Sequence, residues 1–145
     1  MSQDIHFFHG SALSRIIKER KCIIERLKNN QSSYLIDDRV CLYIKYSSKR
    51  TTPWRFSIHK SHIHEITLLA KQYSELYIVL VCYYDGIVCL TFNEFKEIIE
   101  SNSDNHPKWV KAQRKIREKY CITGSDGKLK NKIADSNFPK KIFLI

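Results

Sequence analysis

Residues 76–91 read LYIVLVCYYDGIVCLT, and this stretch decides the fold. Leu76 to Tyr83 is apolar at consecutive positions, so a strand there buries both of its faces and belongs in the middle of a sheet. Asp85-Gly86 supplies the residues of a tight hairpin turn, and Ile87 to Thr91 returns as an antiparallel neighbour. Thr91 and Glu94 then stand at the spacing of a capping box, which predicts a helix through Phe95, Ile98 and Ile99.

Upstream, two short strands alternate cleanly. In Val40 to Ser47, Val40, Leu42, Ile44 and Tyr46 point one way and Cys41, Tyr43, Lys45 and Ser47 the other. In Trp54 to His59, Trp54, Phe56 and Ile58 alternate with Arg55, Ser57 and His59, which places Trp54 in the core. Between this strand and Leu76, Ile63, Ile66, Leu69 and Tyr73 recur at helical spacing, with Ser61 as the expected cap. Nearer the start, Ala12, Leu13, Ile16 and Ile17 predict an amphipathic helix over Gly10 to Lys21. Residues 22–28 and 34–36 read as strands, and Asp37-Asp38-Arg39 as the turn into the strand at Val40.

Downstream, Ser101 to Asn105 reads as a polar linker. Pro107 is suited to the first position of a helix carrying an apolar seam of Trp109, Ala112, Ile116 and Tyr120. Lys108, Lys111, Lys115 and Lys119 would form a cationic stripe beside it, widened by Arg114 and Arg117. Gly124 to Gly127 is a tight turn, and the apolar end Ile142 to Ile145 is expected to dock as a strand or extended arm. The chain of 145 residues has room for one ordinary domain. The predicted class is α/β (α+β), with a mixed, largely antiparallel sheet flanked by helices. Residues 1–105 would form the core, and residues 106–145 a basic helix and tail docked on it.

Charge is distributed unevenly along this plan. Eleven of the 25 Lys and Arg lie between Pro107 and Lys141, opposed only by Glu118, Asp126 and Asp135, while the preceding residues are nearly neutral. A basic segment of this density points to a polyanionic partner, and nucleic acid is the first such partner to expect. The candidate binding residues are Lys108, Lys111, Arg114, Lys115 and Lys119. If the strands at Val40 and Trp54 are neighbours, Lys45, Arg55 and His59 add a second positive ridge with Lys49 and Arg50.

Other chemistries find less support. His62 and His64 are two apart on a predicted helix and diverge, so the His59, His62, His64, Glu65 group does not read as a metal site. Five cysteines without a CxxC pair, three of them within apolar runs, read as reduced core residues, and the start shows no secretion signal. A cytoplasmic protein without a membrane partner is expected.

The order helix, antiparallel strands, helix, central apolar strand over Gly10 to Glu100 resembles the core of the restriction-endonuclease-like superfamily of PD-(D/E)xK nucleases. The resemblance implies phosphodiester hydrolysis with a bound divalent cation such as Mg²⁺. Asp38 would stand for the family's first Asp and Lys45 for its Lys. The acidic position two residues before the Lys is occupied by Tyr43, and Trp54-Arg55-Phe56 on the next strand offers no carboxylate either. The chain is then an inactive relative that kept nucleic-acid binding, or an enzyme whose carboxylates come from Glu25 or Glu65. Three expectations follow: a nucleic-acid-binding or accessory protein needing no cofactor, a metal-dependent nuclease, or an interaction or inhibitor subunit docking on an acidic protein.

Overall fold

A computed structural model describes residues 2–28, 30–101 and 107–144. Helix α1 (Ser2–Glu19) leads into β1 (Ile24–Arg26), β2 (Ser33–Ile36), β3 (Val40–Ser47) and β4 (Trp54–Ile58). Helix α2 (Lys60–Gln72), β5 (Glu75–Cys82), β6 (Gly86–Thr91) and α3 (Phe92–Ile98) follow. The chain ends with β7 (Lys108–Gln113), β8 (Cys121–Gly124), β9 (Gly127–Lys128) and two short 3-10 turns at Asp135–Asn137 and Lys140–Phe143.

These elements make one α+β domain with two sheets. The larger sheet has the order β1-β2-β3-β5-β6, and all its pairings are antiparallel except β3 with β5. The smaller has the order β4-β7-β8-β9 and is antiparallel throughout. Strand β5 is buried at every residue from Ile78 to Cys82, and it occupies an interior position, as its apolar sequence demands.

The alternation of β3, β5 and β6 divides their side chains between two cores. Val40, Leu42, Ile44, Val79, Val81, Ile87 and Cys89 face Phe8, Ala12 and Ile16 of α1, together with Phe138 and Ile142 from the chain's end. Cys41, Tyr43, Ile78, Leu80, Val88 and Leu90 face the opposite way, towards α2, α3 and the inner side of the smaller sheet. Strand β3 therefore buries both faces from Val40 to Ile44, and Ile17 of α1, expected on that helix's apolar side, lies outside, 61% exposed. Cys41, Cys82 and Cys89 are buried free thiols, as their apolar settings predicted.

The last third of the chain differs from the expectation. Residues 108–113 form a strand, not a helix, and pair with β4 in the register Trp54↔Ala112, Arg55↔Lys111 and Ser57↔Trp109. The expected seam is dispersed accordingly: Ala112 and Tyr120 are fully buried, Trp109 is half-buried, and Ile116 is 88% exposed. The apolar end forms a 3-10 turn that seats Ile142 in the core instead of an extended arm. The expected linker at Ser101 to Asn105 lies largely outside the described residues.

Strands β3 and β4 also are not hydrogen-bonded neighbours. The parallel crossover from β3 to β5 contains both β4 and α2, and β4 leaves the larger sheet to form an edge of the smaller one. Trp54 is buried as expected, 2% exposed, with its indole nitrogen donating to the Lys49 carbonyl at 2.8 Å. No described helix is long and apolar enough to cross a membrane.

Candidate functional site: a cationic face and pocket

The site begins at the end of β3. Lys45 lies on the same face as Cys41 and Tyr43 and follows them out of the core between the two layers. There it meets α2. Helix α2 is capped by His59, which takes an extended backbone and donates its N–H to Nδ1 of His62 at 3.0 Å. That interaction, not a Ser61 cap, fixes the first turn. Lys45 Nζ lies 3.3 Å from the same His62 nitrogen, and one turn further along α2 the Tyr43 hydroxyl donates to Glu65.

The electrostatics of this cluster follow from burial. Removal from water lowers the Lys45 pKa to about 8, with Glu65 pulling the other way. Burial also lowers the His62 pKa, assisted by the Lys45 charge and by His59, so this imidazole is neutral at pH 7 and its Nδ1 acts as an acceptor. Burial and the bond to Glu65 push the Tyr43 phenol well above its usual range. Lys45 is thus held by a neutral ring and has no described carboxylate in ion-pairing range.

A pocket of about 360 Å³ opens here, lined by Lys45, Ser47, Arg55, Ser57, His59 and His62 among others. The β4 residues Arg55 and Ser57 also belong to the outer face of the smaller sheet. Paired residues in an antiparallel sheet point to the same side, so the registers Arg55↔Lys111, Lys111↔Thr123 and Thr123↔Lys128 set one row across four strands. Successive strands stand about 4.8 Å apart. None of Arg55, Lys111 and Lys128 is ion-paired with a described carboxylate, and Arg55 stacks over Trp109 at 4.5 Å. A cationic row with one aromatic ring runs across the sheet into a cationic pocket.

The expected residues are distributed unevenly over this surface. Lys45, Arg55 and His59 line one pocket, but through adjacent layers and not through the strand pairing on which their expected ridge rested. Lys49 turns to the Pro53 carbonyl at 3.0 Å, and Arg50 lines a neighbouring cleft. Lys111 is in the row. Lys108 is not: it is 1% exposed and pairs with Asp126 at 2.7 Å. Arg114 is committed to Asp85 at 2.7 Å and lies over the Tyr120 ring. Lys115 and Lys119 are exposed in the connection between β7 and β8 and form no helical stripe with the others.

Asp38 and Lys45 are also separated. Asp38 occupies an exposed left-handed turn position, φ 56°, before β3, whereas Lys45 lies near that strand's far end. Seven residues of extended chain correspond to roughly 20 Å. The carboxyl of Glu25 lies against Asp38, whose hydrogen bond and charge raise its pKa, so the two acids cluster away from Lys45. Glu65 is the carboxylate that reaches the Lys45 neighbourhood. Among the described residues no three His, Cys, Asp or Glu side chains form a group able to hold a metal ion.

Sequence reasoning missed His62, Tyr43 and Ser57 as members of this cluster. The spacing of His59 and His62, three apart at a helix start, was a usable signal for the first turn of α2. No family model, curated protein or solved structure matches the chain, and its geometry carries the functional reading.

Proposed function

We propose that the protein binds nucleic acid, as a binding or accessory module, through phosphate contacts made by Arg55, Lys111 and Lys128 and by Lys45 in the adjoining pocket. The observation that carries this reading is the cationic row on the outer face of the smaller sheet, without ion pairs to any described carboxylate, and its continuity with the pocket. Cations without carboxylate partners are free to displace counterions from successive phosphates. Trp109 beside Arg55 adds a flat surface of the kind that accompanies such contacts.

Fluorescence anisotropy with labelled oligonucleotides tests the proposal. Four contacts to a single strand give a slope of log K against log salt of about −3, and each Gln replacement among Lys45, Arg55, Lys111 and Lys128 reduces it by about 0.7. Unchanged affinity in the quadruple variant would remove the reading. Binding of an acidic protein but no oligonucleotide, abolished by the same variant, would assign the row to a protein partner.

A further inference from the structure

A second cleft adjoins the cationic pocket and differs from it in character. About 490 Å³ in volume, it is lined by Asp4, Phe7 and Phe8 of α1, Ser48 and Arg50 after β3, and Tyr83 and Tyr84 between β5 and β6. Its aromatic rings are both grouped and open. Phe7 is 53% exposed and Tyr84 69% exposed, with their centroids 5.6 Å apart. Tyr83 lies 4.1 Å from Tyr84, and Phe8 beneath them stacks on Tyr46 at 4.9 Å.

Three features point to the occupant. First, the cleft is continuous with the phosphate pocket: Ser48 lines both, and Tyr46, which lines the pocket, stacks on Phe8, which lines the cleft. Second, Arg50 lies in the aromatic lining, so a planar ligand there meets both ring faces and a cation. Third, the turn that presents Tyr83 and Tyr84 holds Tyr83 in the left-handed region, φ 51°, a conformation that favours Gly or Asn. A strained aromatic kept beside an open aromatic cleft fits a residue retained for what it contacts.

We propose that this cleft stacks an unpaired nucleobase whose neighbouring phosphate enters the Lys45 pocket, and that the preferred ligand is therefore single-stranded nucleic acid. This inference rests on the phosphate-binding reading above. In a duplex each base has its faces covered by its neighbours, so a site made of ring faces gains nothing from it. In a single strand, every base has a face to offer whatever its identity. The site then selects strandedness rather than sequence.

The test compares three labelled probes on the full chain: a short oligothymidylate, an abasic strand with the same number of phosphates, and a duplex of the same length. The intact strand is expected to bind roughly 10-fold more tightly than the abasic one. Tyr84→Ala and Phe7→Ala should each remove most of that advantage and leave abasic-strand affinity and its salt dependence unchanged, whereas Tyr84→Trp should retain it. Both side chains are exposed, and thermal melts of the variants check that folding is unaffected. Equal affinity for intact and abasic strands, or preference for the duplex, would overturn the inference while leaving the phosphate reading intact if Lys45→Gln still weakens binding. Failure of every probe to bind at low salt would remove both.

Discussion

Burial that lowers the Lys45 pKa to about 8 makes its charge a cost to the fold. The native state releases this proton near pH 8 and the unfolded chain near its ordinary 10.5, so between these values the unfolded state binds more protons. Stability relative to a variant without the amine should then rise as pH increases from about 8 to 10.5, and be constant below 8. Lys45→Met should stabilise the protein at pH 7 by about 1–3 kcal/mol, read as a shifted midpoint in urea unfolding. The same substitution should weaken oligonucleotide binding, and the unmodified protein should lose that part of its affinity as pH rises above 8. A Met variant that is less stable and binds unchanged would show that Lys45 serves packing alone.

At the scale of the element, β7 separates two lysines that a helix would have put on one stripe. Lys108 and Lys111 are three apart, so in a strand they point to opposite faces, one into the core against Asp126 and one to solvent. Lys111→Gln should lower affinity without changing stability, whereas Lys108→Ala should leave the phosphate contacts in place and cost about 2–5 kcal/mol, because it empties the space of a fully buried side chain and removes its charge-assisted bond to Asp126. Urea unfolding and anisotropy on both variants separate the two effects. This strand was illegible in the sequence for a physical reason: its inward positions hold a Lys and its outward ones a Trp, an inversion of the usual pattern. Strand β4, the hairpin of β5 with β6 and the Thr91-Glu94 capping box were legible in the local pattern, although the hairpin turns through Tyr83 to Asp85, with Gly86 already in β6, and β3 was legible in extent but not in burying both faces. Of the pocket, the outward placement of Arg55 could be read from strand alternation, whereas its meeting with Lys45 and His59 was expected from a pairing of β3 with β4 that the fold does not make. The contacts of Tyr43 with Glu65 and of Lys45 with His62 depend on how α2 lies over β3, which no local pattern encodes.

For the whole molecule, the pairing of β4 with β7 ties the chain's last third into the same core as its first two thirds. Arg15 reaches from α1 to Asp135 at 2.9 Å, and Asp135 also accepts the Ile87 backbone N–H at 2.7 Å, so the tail is anchored on two elements of the larger sheet's layer. Ending the chain before Pro107 should consequently leave no cooperatively melting domain, as measured by near-ultraviolet circular dichroism and a thermal melt. A sharp transition in that fragment would make the first hundred or so residues an independent unit. The placement of β4 has a further consequence for synthesis. When Trp54 to Ile58 leaves the ribosome, its pairing partner has not yet been made, and at about 5–20 residues per second the wait lasts several seconds. Throughout that interval a segment with an apolar face of Trp54, Phe56 and Ile58 has its backbone unpaired, a template for joining another nascent chain. Translation speed across the α2–α3 region, and chaperone capture of the chain during it, should therefore govern how much soluble protein a cell obtains.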